Sequence, residues 1–198
     1  MAFLGVAALV VFQGVAAPAA AARHSQGAQS PQSPRTAQAA QPAAASPLEY
    51  QVKAAYILNF INLTEWPPAA LGSATAPFRV CLSGTGQLRA ALEDTVKGES
   101  VHGHQVVVDR LTSETAPTCQ VIYVPASDAA QMPDLMRAVG SAAVLFIGET
   151  DAFLRAGGVV RFVVDQGHVR FDVNRRSAEQ RGLSLSSRLL RVARRVQP

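Results

Sequence analysis

GGVVRFVVDQGHVRFDVNRRSAEQRGLSLSSRLLRVARRV, running from Gly157 to Val196, carries more structural information than any other part of the chain. Two alternating runs, Val159–Val164 and His168–Val173, flank a compact Asp165-Gln166-Gly167 turn. Strand periodicity on both sides of a glycine-containing turn is the pattern of an antiparallel hairpin. Val160, Phe162 and Val164, with Val169, Phe171 and Val173, should face the core. Arg161, Val163, His168, Arg170 and Asp172 should be more exposed. Asn174 is suited to cap a helix over Arg175–Arg181, and Gly182 to stop it. Ser184 or Ser186 can cap a last helix. In it Leu185, Leu189, Val192 and Val196 recur at i, i+4, i+7 and i+11 as an apolar stripe, with Arg188, Arg191 and Arg195 on another face.

The chain before this stretch alternates strands and helices. Leu48 to Trp66 has Val52, Tyr56, Phe60 and Leu63 at helical spacing, and Pro67-Pro68 should end that helix. Trp66 should pack on the body of the domain. Pro77–Ser83, Gln105–Val108, Cys119–Pro125 and Ala142–Gly148 read as strands. Helices are expected from Gln87 to about Val96 and from Ser127 or Asp128 to about Val139. Glu149–Ala156 reads as a turn or short helix stopped by Gly157-Gly158. This order predicts an α/β sandwich with a mostly parallel sheet, flanking helices and the antiparallel C-terminal hairpin on one edge.

Residues 1–22 are almost wholly apolar and small, ending in residues suited to a peptidase near Ala20–Ala22. They read as a cleaved signal peptide, although no Lys or Arg precedes the apolar run. An uncleaved anchor is the rival reading, but the Leu/Val/Phe-rich part falls short of the ~20 apolar residues a membrane span needs. Residues 23–47 are Ala, Gln, Ser and Pro, too poor in large apolar side chains to fold, and read as a disordered linker. The folded domain is then 48–198. In an exported protein, Cys81 and Cys119 suggest one disulfide if their strands are neighbours; two buried free thiols are the alternative.

Charge is unevenly placed. Arg175, Arg176, Arg181, Arg188, Arg191, Arg194 and Arg195 face one acid, Glu179, in the last part of the chain. A basic face of this kind fits anionic lipid, an acidic partner or a phosphate-bearing ligand; the plainer reading is a solvated helix face. No metal site is expected from His102-Gly103-His104, which lacks further ligands. Gly84-Thr85-Gly86 between a strand and a helix has Arg89 where a third glycine belongs, so no dinucleotide cofactor is expected. A looser reading lets backbone N–H groups at that helix start hold an anion. Nucleophile elbow, P-loop and zincin motifs are absent, and no Ser, His or Cys sits where it would be activated as a nucleophile. The composition argues for a binding or regulatory domain, not an enzyme.

Several segments together resemble the YfiR family of bacterial periplasmic proteins. They are Val52-Lys53-Ala54-Ala55-Tyr56 with Asn59-Phe60 and Glu65-Trp66-Pro67, then Gly157-Gly158, Val160-Arg161-Phe162, Val169 to Asn174, and Gly182-Leu183 through Ser186–Leu190 to Ala193. The resemblance covers about Leu48 to Val196. It implies a small Rossmann-like domain able to dimerise, and a disulfide between Cys81 and Cys119. A second cysteine pair found in some members is missing, so redox control through it is not expected here. The resemblance also implies a periplasmic regulator that inhibits a membrane-bound diguanylate cyclase by binding its periplasmic domain, with an outer-membrane lipoprotein relieving the inhibition. A histidine kinase is another possible partner, and no nucleic acid is expected. The second hypothesis is a periplasmic sensor of a small anion, and the third an exported hydrolase. The residues available to hold a ligand or partner are Arg161, His168, Arg170 and Arg188.

Overall fold

The computed structural model describes residues 45–84 and 86–198. The expected signal peptide, 1–22, and the linker up to residue 44 lie outside the described residues. In chain order the elements are α1 (Pro47–Asn62), β1 (Thr64–Glu65), α2 (Pro68–Leu71), β2 (Phe78–Leu82), α3 (Gln87–Thr95), β3 (Ser100–Val101), β4 (His104–Arg110), β5 (Val121–Tyr123), α4 (Met132–Val139), β6 (Leu145–Gly148), α5 (Asp151–Arg155), β7 (Val160–Asp165), β8 (His168–Asn174), α6 (Arg175–Gln180), β9 (Ser184–Leu185), α7 (Ser187–Val192) and β10 (Arg195–Gln197). Two 3-10 turns, Ala116–Thr118 and Ala126–Gln131, precede β5 and α4.

One eight-stranded sheet has the order β10-β8-β7-β6-β5-β2-β4-β3. Only β7–β8 and β3–β4 pair antiparallel in it; the other neighbours run parallel. The fold is therefore the expected α/β class. One side of the sheet packs Phe60, Ile57, Leu92, Phe162, Phe171 and Val173 into a core with α1 and α3. The other side packs Phe146, Phe153, Met132 and Leu135 with the two cysteines. Because β2 and β5 are neighbours, Cys81 and Cys119 come within 5.9 Å between Cα atoms and form a disulfide.

The hairpin forms as its periodicity dictates. Asp165 pairs with His168, leaving Gln166 and Gly167 as a two-residue turn with φ of 48° and 76°. Two left-handed residues make the turn whose twist matches paired strands. Phe162 and Phe171 meet Phe60 of α1 at centroid distances of 5.7 and 4.8 Å, so apolar contacts fix the hairpin against the first helix. Asn174 caps α6 by accepting from Ser177 N at 3.0 Å, and Ser186 caps α7 by accepting from Leu189 N at 3.2 Å.

Four expectations need correction. First, α1 starts at Pro47, capped by Ser46, so the end of the expected linker belongs to the domain. It ends at Asn62, not Trp66, because Leu63 and Thr64 leave the helix to pair with the far end of the chain. Ser186 N donates to Leu63 O at 2.9 Å, and β1 pairs antiparallel with β9. Trp66 does pack on the body, edge-on to Phe78. Second, the helix expected from Ser127 or Asp128 begins as the 3-10 turn, because Pro133 has no N–H to donate to Ala129 O and suits the first turn of α4 but not the interior of a helix begun at Ser127 or Asp128. Asp128 accepts from Ser83 Oγ instead of capping. Third, the last helix stops at Val192, and the expected stripe does not exist. Ala193 is extended and β10 pairs parallel with β8. An open β8 edge would leave backbone groups unpaired, and β10 satisfies them. Val192 and Val196 are consequently 61% and 39% exposed. Fourth, the hairpin is not the outermost part of the sheet, since β10 lies beyond it.

Candidate functional site

The carboxyl ends of β5, β6 and β7 meet the first turns of α1. Open α/β sheets commonly bind ligands at this end. The Glu49 and Lys53 side chains of α1 lie one turn apart, and Lys53 Nζ sits 2.6 Å from Glu49 Oε1 and 2.7 Å from Glu149 Oε1. Glu149 follows β6 directly. Its Oε1 also accepts from Tyr123 Oη at 2.6 Å, and its Oε2 from Ala126 N at 3.1 Å. The Lys53 side chain is only 6% exposed.

Electrostatics holds Lys53 and Glu149 in their charged forms. Burial works against the Lys53 ammonium, but hydrogen bonds to Glu149 and Glu49 and their charges outweigh it and raise its pKa. Burial also opposes ionisation of Glu149, yet the bonds from Lys53 and Tyr123 bring its pKa below the usual carboxylate value. Burial, then the charge of Glu149, pushes the Tyr123 hydroxyl far up, so it stays a donor.

Two adjoining hollows open around this cluster. One, of about 510 Å³, is walled by Tyr50, Lys53, Tyr123, Glu149 and β7 residues 161–164. The other, of about 790 Å³, lies between the start of α1 and the hairpin tip, lined by Leu48, Val52, Tyr56, Val164, Val169, His168 and Arg170. Glu49 and Val164 border both, so they form one groove with an apolar floor and a basic end. Leu48 and Val164 stand 67% and 54% exposed there.

The four sequence candidates separate. His168 and Arg170 are exposed and share the larger hollow. Arg188 is exposed on α7 and lines neither hollow. Arg161 contradicts its expected exposure: it is 7% exposed, and its guanidinium contacts Asp151 Oδ1 and lies 2.5 Å from Asp172 Oδ2. Asp172 is likewise fully buried, and Arg194 grips it with Nε to Oδ1 at 2.8 Å and Nη2 to Oδ2 at 2.7 Å. Burial opposes this carboxylate, but the bonds from Arg194 and Arg161 lower its pKa. The hairpin base is covered on its second face by these groups, whereas its tip runs past the helices. That reverses the expected places of Asp172 and Val164.

The Glu49–Lys53–Tyr123–Glu149 cluster was not found from the sequence as a site. The i, i+4 spacing of Glu49 and Lys53 was visible, but Tyr123 and Glu149 join them only through the tertiary fold. Arg194 left no local signal either. His104 Nδ1 donates to Ala76 O at 2.7 Å and His102 lies 3.4 Å from Thr64 O, so the two histidines bind backbone separately. Among the described residues no group of three His, Cys, Asp or Glu side chains could hold a metal.

Comparison with known proteins agrees with this architecture. The family described as YfiR/HmsC-like matches residues 50–194. No curated protein matches the chain. Among solved structures, a conserved domain protein from Vibrio cholerae O1 biovar eltor is similar at 13% identity, covering 75% of this chain and 60% of its own, with a TM-score of 0.50. An ABC domain from Streptococcus pneumonia, solved with L-Trp, is 15% identical over 64% of this chain and 57% of its own, with a TM-score of 0.42. The chain spans less than two thirds of either protein. The first likeness shows the fold.

Proposed function

The chain belongs to the YfiR/HmsC-like family, and from that premise we propose that it is a periplasmic regulatory binding protein. It inhibits a membrane-bound signalling enzyme, a diguanylate cyclase, by binding the enzyme's periplasmic domain. The match over residues 50–194 carries this reading, because it takes in the α/β domain from the first turn of α1 to the end of α7 and most of the groove's lining. The disulfide supports export, since such bonds persist in oxidising compartments. The apolar residues 1–22 are the cleaved signal that sends it there. Inhibition works by differential binding: the regulator favours the inactive state of the enzyme and shifts its population only as far as its affinities for the two states differ. An outer-membrane lipoprotein that sequesters the regulator restores the active population. The role assigned is binding, with no catalytic step.

Deleting the gene tests this directly. Cyclic di-GMP and biofilm should rise, and complementation should restore them. Unchanged levels of both would remove the cyclase as target and leave a histidine kinase as the regulated protein, to be sought by its phosphorylation state.

The groove favours a second reading, a sensor of a small apolar anion, because His168 and Arg170 stand at the basic end of an apolar hollow. A thermal-shift screen with anionic metabolites should raise Tm for at least one, and substituting Arg170→Ala should abolish the shift. No shift across the screen counts against a sensor.

A further inference from the structure

The fold engages three of the seven arginines that follow Asn174. Arg175 pairs with Glu179 at 2.7 Å, Arg181 lies half-buried over the Phe146 ring at 4.6 Å, and Arg194 holds Asp172. Arg176, Arg188, Arg191 and Arg195 are exposed, and none forms an ion pair among the described residues. The undescribed positions add no acid, since Glu49 is the first in the chain and residue 85 is a threonine. Three of these arginines lie beside two exposed valines. On α7, Arg188, Arg191 and Val192 are exposed at i, i+3 and i+4 while Leu189 is buried. Arg195 and Val196 follow on β10. From Ser187 to Gln197 there is no acidic residue. Val192 and Val196 are two of the four large apolar side chains left exposed among the described residues. β10 is also the last strand of the sheet, paired only with β8.

We propose that this α7–β10 edge docks an acidic, extended segment of the protein partner, which adds as a strand beside β10; the proposal rests on the regulatory reading above. Charge complementarity selects that occupant. A strand edge offers unpaired N–H and C=O groups to any chain able to approach it. In an added strand, side chains alternate, so acids can meet Arg191 and Arg195 while apolar residues cover the valines. A second copy fits poorly, because a two-fold pairing of this edge sets the arginines of one copy against those of the other. A bilayer surface also fits poorly. α7 has six residues and exposes one valine, where interfacial helices present a broad face of Trp, Phe or Leu.

The test titrates the full chain with a fluorescent peptide of alternating Glu and Val, and in parallel with a Lys–Val peptide and phosphatidylglycerol vesicles. The Glu–Val peptide should bind, weaken as salt rises, and slow amide exchange in β10. The double variant R191E/R195E should weaken binding about tenfold or more. V192D should weaken it without a change of arginine charge, and K97E, exposed just before β3 at the opposite edge of the sheet, should leave it unchanged. Circular dichroism checks that each variant folds. Equal binding by R191E/R195E and K97E, equal binding of the Lys–Val peptide, no protection of β10, or binding to vesicles alone would each overturn the proposal. The regulatory reading fails separately: if gene deletion leaves cyclic di-GMP and biofilm unchanged while the peptide binds as described, the docking edge stands and the cyclase target falls.

Discussion

Lys53 and Asp172 are the two charged centres that the domain can least easily lose. Lys53 has an almost fully buried ammonium between two carboxylates, and Glu149 depends on it as well as on Tyr123. Substituting Lys53→Met keeps the side-chain length but leaves Glu149 part-buried without its cation. The expected cost at neutral pH is about 3 kcal/mol, measured by urea unfolding. The deficit should shrink in acid, where Glu149 can protonate, and Lys53→Met combined with Glu149→Gln should recover part of it. A loss that does not vary with pH would show that Lys53 matters through packing alone. Asp172 gives a second pH dependence. Its pKa is lower folded than unfolded. Such a group adds stability above its unfolded pKa of about 3.9 and loses it as pH falls through the folded value. Asp172→Asn should therefore lower Tm at pH 7 and flatten the fall in stability below about pH 4. A wild-type and a variant curve that stay parallel through that range would contradict the assignment.

At the scale of elements, the turn of the β7–β8 hairpin is locally imperfect. Gln166 adopts φ of 48°, a conformation that suits Asn or Gly, beside Gly167 at 76°. Substituting Gln166→Asn creates the preferred Asn-Gly pair and should stabilise the domain by about 0.5 kcal/mol. Thermal melts check it, and a lower Tm would mean that the glutamine side chain contributes something its surroundings do not suggest. This turn also shows what was legible in the sequence. The hairpin, the Asn174 and Ser186 caps and the aromatic face depend on neighbours a few residues apart, and local periodicity revealed them. β10 was misread because Arg188 to Val196 has helical spacing, and only the distant β8 edge pulls Ala193 onward into a strand. Arg161 was misread for the same reason. Alternation placed it opposite Phe162 correctly, but not that Asp151, Asp172 and Arg194 would close over that side. In the groove, His168 and Arg170 were legible as exposed hairpin residues. The Lys53 cluster was not, because it joins residues from three separate parts of the chain.

Across the whole molecule, the disulfide constrains the chain where the strand order reverses. Cys81 lies in β2, Cys119 just before β5, and these strands are already hydrogen-bonded neighbours. The bond therefore adds little to folded contacts that the sheet does not already make. Its main effect is on the unfolded chain, where it closes a loop with a sequence separation of 38 that contains α3, β3 and β4. Chain entropy for a loop of that size gives about 4 kcal/mol as an upper estimate. Substituting Cys81→Ala and Cys119→Ala together should lower the urea midpoint accordingly, with little change in slope if the unfolded chain expands only modestly. Both sulfurs are buried, at 0% and 2% residue exposure, so a reductant should act chiefly through opened or unfolded molecules. Reduction of the native protein should thus be slow and accelerate in urea. If the chain is exported as proposed, non-reducing mass spectrometry of the protein recovered from cells should find the peptides of Cys81 and Cys119 joined. Two free thiols in that protein would leave the domain without its cross-link and remove the structural support for export.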